Sequence, residues 1–331
     1  MSNEQKETPS LRRNGFVVRK ERLYGRLIAA SAVITILVTV GIILSLIGRA
    51  LTFWSAIPPL DFFLGTNWSP VIDETYGMLP LLSGTLIVTV VSAVIALPIG
   101  LAAAIYLSEY ASERARSILK PALEVLAGVP TVIYGYMALV YVTPLIDAVL
   151  PISVGLLPAW VPLLPEFTLV VPSLRTFNAL SASVVVGIMI LPMVSSISED
   201  ALSSVPDSLR QGAYGLGSTK LDVSTKVVVP AATSGIIASY VLAISRAIGE
   251  TMAVTMAMGM SPQMPFYPDV LRNLAESSQT ITAAMVEIAG ADSLGGVTYE
   301  AMFALGLTLF AITLTMNVFA ELVRRRFREE Y

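Results

Sequence analysis

Residues 208–230 read SLRQGAYGLGSTKLDVSTKVVVP, a polar stretch between two apolar ones. The runs on either side, near 179–200 and 230–259, are each long enough to cross a bilayer, and a short loop would suffice to join them. This stretch reads instead as a helix–turn–helix. Gln211-Gly212-Ala213 belongs to a short polar helix that ends at Gly217, where glycine takes the left-handed conformation that reverses a chain. Val227-Val228-Val229-Pro230 then starts the next span, with proline tolerated in a first helical turn. The pattern predicts a membrane-embedded helical bundle carrying a polar lever on one side.

Composition supports that class. A mean hydropathy of +0.74, with 55% hydrophobic and 14% charged residues, is too apolar for a soluble chain of 331 residues. There are no cysteines, which excludes disulfides, thiol catalysis and Cys-based metal sites. There are no histidines, which removes the commonest metal ligand and general base. The net charge of −3 says little, because charges here are sorted by membrane side.

With roughly 20 apolar residues per helix as the ruler, spans are expected near 27–50, 80–107, 122–146, 179–200, 230–259 and 301–322. This organisation gives a basic N-terminal segment 1–26, a six-helix domain 27–322 containing the 208–230 loop, and a tail 323–331. Span one carries no charge from Leu27 to Gly48, about 33 Å of helix, and is read as a retained helix rather than a signal peptide. Span three is interrupted by Gly128, Pro130, Gly135 and Pro144, so two shorter helices joined by a bend are the alternative.

Basic residues fix the orientation. Lys6, Arg12, Arg13, Arg19, Lys20, Arg22 and Arg26 precede span one. Arg114, Arg116 and Lys120 follow span two, Arg210, Lys220 and Lys226 follow span four, and Arg324, Arg325, Arg326 and Arg328 follow span six. The opposite loops carry almost none. The positive-inside rule places both termini and the 208–230 loop in the cytoplasm, as an even number of spans requires. The first 25 residues are expected to form a flexible basic segment acting at the membrane surface or in regulation. On the outer side, 51–79 is rich in aromatics suited to the headgroup level. Residues 147–178 contain Pro151, Pro158, Pro162, Pro165 and Pro172, which predicts an irregular cap. Residues 260–300 read as solvated loop surface with a turn at Gly295-Gly296. Together these three loops offer a docking surface to an extracytoplasmic partner.

Span five, YVLAISRAIGETMAVTMAMG over 240–259, places Arg246 and Glu250 four residues apart on one face of a helix. A charge at the bilayer centre costs about 2.5–3.5 kcal/mol, so this face should meet the bundle interior or a water-filled path. A structural ion pair locking helices is one reading. An anion pathway is the other, since the planar fork of arginine suits tetrahedral oxyanions such as phosphate, with Glu250 tuning or gating it. Ser245 and Thr251 add hydroxyl donors, although a hydroxyl on a membrane helix more often bonds its own backbone.

The 211–230 spacing closely resembles the coupling loop of ABC-importer permeases: Glu-Ala-Ala, three residues, Gly, nine residues, Ile-x-Leu-Pro. Gln211, Gly212, Val227 and Val229 depart from that pattern, which weakens any specific salt bridge at Gln211 but not the shape of the loop. SRAIGETMAV resembles the fifth-span signature of the phosphate ABC-importer permeases. LPLLSGTL (79–86), ALPIGLAAAIYLSEYA (96–111) and LKPALEVLAGVPTVIYGYMAL (119–139) are similar to that family too, and FFLGTNWSP (62–70) suggests its PstC-type subunit.

The resemblance implies an all-α permease fold of six transmembrane helices with a cytoplasmic coupling helix, in the cell membrane. Coupling to the ATPase falls to Gln211, Gly212, Ala213, Gly217 and Pro230, and the substrate pathway to Arg246 and Glu250. It implies as partners a paralogous PstA-like permease, a PstB-like ATPase dimer and an extracytoplasmic PstS-like phosphate-binding protein, with membrane lipid around the chain and no nucleic acid. No cofactor is expected in this chain. It has no Gly-x4-Gly-Lys-Ser/Thr loop, so ATP and magnesium are expected on the ATPase, and no catalytic or metal residue is assigned. The alternatives are a permease for phosphonate, molybdate or sulfate, and an ion-coupled carrier, which often shows an internal repeat. An intramembrane enzyme would need a nucleophile–base pair or metal dyad; without His or Cys only Ser, Lys and carboxylates remain, and the Arg246/Glu250 pair suits binding better than hydrolysis.

Overall fold

The computed structural model describes residues 15–149, 173–266, 269–291 and 295–326. Prolines 151, 158, 162, 165 and 172 of the expected cap, and the basic residues Lys6, Arg12, Arg13 and Arg328, lie outside the described residues. Among the described residues, five helices are long and apolar enough to cross a membrane, and a sixth is a pair bent by 71°.

Helix α1 (Gly15–Ala56) is continuous over 42 residues, so its backbone runs without a break through the expected boundary at residue 26. Ser31, Thr35 and Thr39 satisfy their hydroxyls on carbonyls one turn back, as an apolar helix face requires. Its C-terminal part buries Ala50 and Phe53. The short helix α2 (Pro59–Leu64) and a two-strand hairpin, β1 (Trp68–Ser69) with β2 (Thr75–Tyr76), cap that end of the bundle. Phe53, Phe62 and Tyr76 meet edge to face there at 5.4 Å.

Helix α3 (Leu79–Ile105) runs into a π-helical turn, Tyr106–Tyr110, and packs along α7 (Ala179–Ser203) as the central pair. Lipid offers no hydrophobic drive between helices, so close approach of small residues must supply the contact. Gly100 does so here, since a Cβ on it would stand 2.6 Å from Val194 Cγ1.

The third expected span is divided. Helix α4 (Glu113–Ala127), N-capped by Ser112, is amphipathic and buries none of its residues. Pro130 is extended (φ −57°, ψ 135°), and the chain restarts as α5 (Thr131–Met137), a π turn 138–142, and α6 (Thr143–Val149). Proline disfavours helical geometry in the residue before it, and with Pro130 itself extended the crossing segment is 131–149 and not 122–146.

After α7 come α8 (Asp207–Gly215), α9 (Lys220–Val223), a π turn 224–228, and α10 (Val229–Ala231). Helix α11 (Thr233–Ile248) then stops, and α12 (Met252–Met258) follows. Span five is therefore bent at Ala232 and broken at 249–251, where one continuous helix over 230–259 was expected. The 260–300 region also departs from expectation. After α13 (Val270–Ala275), helix α14 (Ile281–Gly290) buries Ile281, Ala284 and Ile288 against α15 (Val297–Arg326). Its sequence, ITAAMVEIAG, is too apolar for a solvated loop, and at about 1.5 Å per residue it reaches only half way through a bilayer.

Candidate functional site: a polar lever and a broken span

The lever stands at the basic end of the bundle. Gln211, Gly212 and Ala213 lie on α8, and Gly217 adopts φ +82° just beyond it. The N–H of Ser218 donates to Ala213 O at 3.2 Å and that of Gly217 to Tyr214 O at 2.9 Å, closing the helix end. A Cβ on Gly212 or Gly217 would meet no atom of the chain, and Leu216 is 89% exposed. The tip therefore presents an open face. Pro230 comes directly after the π turn, in the first turn of α10, where its missing N–H is tolerated.

Beneath that tip the lever is held by charges that were not singled out from the sequence. Arg210 Nη2 donates to Glu109 Oε1 at 3.1 Å and to Leu202 O at 2.8 Å, and Nη1 donates to Val205 O and to Asp207 at 3.3 Å. Next to it, Lys120 of α4 bonds Glu199 at 2.6 Å and Asp200 at 2.8 Å. The hydrogen bonds to Asp200 and Glu199 raise the Lys120 pKa above its ordinary 10.5. Arg116 donates to Leu107 O at 2.6 Å and Ser108 O at 2.8 Å. A clue was available: Glu109, Glu199 and Asp200 are carboxylates at span ends opposite a basic loop.

The second region is the break in span five. Arg246 is exposed, with no hydrogen-bond or ion-pair partner among the described residues. Ser245, beside it, donates to Asn317 Oδ1 of α15 at 3.1 Å. Glu250 is outside α11, 5% exposed, and accepts from the N–H of Ala253 at 3.2 Å, so it caps α12 instead of pairing with Arg246. The backbone oxygen of Glu250 accepts from Thr282 Oγ1 at 2.8 Å, which ties the break to α14. Thr251 bonds Gly249 O at 3.2 Å, within its own turn. Helix α5 closes the region from the side, since a Cβ on Gly135 would stand 2.8 Å from Met256 Cβ. The structure thus separates the two charges: Glu250 is built into the backbone of the break, and Arg246 is left on an open face.

Solved structures share the overall fold at low identity. An inward-facing MetNI methionine ABC transporter aligns with a TM-score of 0.52 and 15% identity, covering 80% of this chain and 100% of that one. A bacterial ABC transporter involved in import of the acidic polysaccharide alginate aligns at 0.50 and 14%, covering 93% and 100%. Among curated relatives, the probable ABC transporter permease protein YqgH of Bacillus subtilis is 32% identical over 304 residues, 88% of this chain and 87% of that protein. The phosphate transport system permease protein PstC of Haemophilus influenzae is 33% identical over 305 residues, 92% of each. The family model for binding-protein-dependent transport system inner membrane components matches residues 96–329. With the bent span, the lever and that match together, this multi-pass membrane chain belongs to the family of binding-protein-dependent transport system inner-membrane components.

Proposed function

We propose that the chain is a permease subunit of an ATP-driven phosphate importer, with Arg246 on the anion path. The observation that carries the reading is an exposed arginine in an apolar span, without a partner among the described residues. Left facing lipid it would cost about 2.5–3.5 kcal/mol. A transported oxyanion, met across the contact with a second permease, offsets that cost by accepting from the guanidinium. Relatives named as phosphate permeases over most of the chain support phosphate as the ion. Glu250, built into the break of span five, gates or tunes the path, while Ser245 and Thr251 line it. Both termini and α8 are cytoplasmic, as the basic residues require.

The open tip formed by Gln211, Gly212, Ala213 and Gly217 inserts into a separate ATPase, which binds ATP and magnesium. Pro230 sets the start of span five. An extracytoplasmic binding protein delivers phosphate at the aromatic end, and a paralogous permease completes the path. The test is labelled-phosphate uptake by proteoliposomes containing this chain, the second permease and the ATPase. Uptake that needs both ATP and the binding protein is the expected result. Uptake driven by a proton gradient alone would overturn the reading, and an assembled, ATP-hydrolysing complex that moves no phosphate would transfer it to another oxyanion.

A further inference from the structure

The desolvation cost of burying an ion pair can exceed the attraction it gains, so a buried pair between a surface lever and a membrane span calls for a reason. The Arg210 side chain is 14% exposed and its partner Glu109 is 6% exposed. Glu109 sits in the π turn that ends α3, and such turns carry functional side chains more often than regular helix does. The fork of Arg210 reaches three elements at once: the π turn through Glu109, the end of α7 through Leu202 and Val205, and its own helix through Asp207. The polar chain continues from there. Ser108 Oγ donates to Glu109 at 3.1 Å, Ser203 Oγ donates to Glu199 at 3.0 Å, and Glu199 holds Lys120 of α4. From α4 the backbone leads through Pro130 to α5, whose Gly135 abuts α12, the helix that Glu250 caps.

We propose that Arg210 and Glu109 are positioning residues for transport. They form the joint through which α8 moves the inner ends of α3 and α7, and with them α4, as one body. The proposal rests on the importer reading, because it needs an ATPase that drives α8. A packed lever without this joint would slide on a smooth apolar contact of Leu209 and Ala213. With the joint, a displacement of α8 reaches α4 without loss and is delivered through α5 to the break at 249–251. With Nε also donating to Glu109 Oε1 at 3.4 Å, the guanidinium makes five hydrogen bonds, a fork that lysine cannot reproduce.

The whole complex is reconstituted with Glu109→Gln and, separately, Arg210→Lys. Co-purification of the ATPase, ATP hydrolysis and phosphate uptake are measured together. The expected result is intact assembly, hydrolysis within about twofold of the unaltered complex, and uptake per ATP lowered about tenfold, the scale of one charged hydrogen bond. An unchanged ratio in both variants overturns the proposal, as does a loss of uptake in strict proportion to hydrolysis.

A second readout does not depend on the transported ion. The chain has no cysteine, so spin labels introduced at Ser117 of α4 and Tyr214 of α8 report on the joint alone. Their separation should stay constant between nucleotide-free and ATP-trapped states, and should change in the Glu109→Gln background. Equal behaviour in both backgrounds would overturn the joint. Missing ATP-dependent uptake in the unaltered complex would fault the importer reading instead, and the label distances would still decide the joint.

Discussion

The lever at 207–231 and the break at 249–251, with the last turn of α11 that leads into it, both interrupt a span, yet they treat charge in opposite ways. In the lever Arg210 is paired and nearly buried, although desolvation offsets much of what a buried pair gains. In the break Arg246 is left open, although it belongs to a span where an unpaired charge is expensive. Each departs from what its surroundings favour. A buried pair between elements points to a mechanical link, whereas a charge in a span with no partner among the described residues points to a ligand or a neighbouring chain.

The sharpest way to break this contrast is at Arg246. Arg246→Gln removes the charge and keeps a shorter polar side chain, so the complex should assemble while phosphate uptake falls about tenfold to a hundredfold, the loss of one or two charged hydrogen bonds. Unchanged labelled-phosphate uptake would mean that the open face meets lipid or a partner side chain. At the other pole, Gly217→Asp forces a side chain into φ +82°, at roughly 1–2 kcal/mol, and into a surface that is otherwise open. Uptake should fall about tenfold, with the ATPase either detached or hydrolysing without transport. Normal co-purification together with normal uptake would deny the tip its role.

A smaller effect is expected at Thr282→Val, which removes the hydroxyl bonded to the Glu250 carbonyl and leaves the shape almost unchanged. Loss of a buried hydrogen bond costs about 1 kcal/mol, so thermal stability should drop measurably and uptake severalfold. If uptake fell as far as in Arg246→Gln, the position of the break would matter as much as the charge it displays, and the contrast would need redrawing.

The sequence made these two regions legible to different degrees. The lever stood out because a polar stretch between apolar spans has few alternatives, and Gly217 lies where a reversal needs it. The division of span three at Pro130 was left open and is decided by proline geometry. The break at Gly249 was not legible, because arginine and glutamate four residues apart fit a continuous helix equally well and one glycine is tolerated inside a helix. Nor was the burial of α14, since its run is half the length that marks a span. The Arg210–Glu109 link joins residues 101 positions apart; no local pattern announces such a pair.

The smallest effect is expected at Asp222, the lever's own exposed ion pair. Its carboxylate meets Lys226 at 2.5 Å and Thr219 Oγ1 at 2.6 Å, and Lys226 first, then Thr219, lowers its pKa below the ordinary 3.8. A lowered carboxylate pKa means that the ionised form is favoured in the fold. Any stabilisation is therefore fully present above 3.8 and is lost only as the pH falls through the lower, folded value. At neutral pH this carboxylate stays ionised, and with Lys226 75% and Asp222 39% exposed, water and salt screen the pair. Asp222→Asn should leave thermal stability and uptake per ATP unchanged at pH 7, in contrast to Glu109→Gln in the same assay. If Asp222→Asn uncoupled transport as strongly as Glu109→Gln, burial would no longer distinguish the joint, and exposed charges of the lever would have to be counted as part of it.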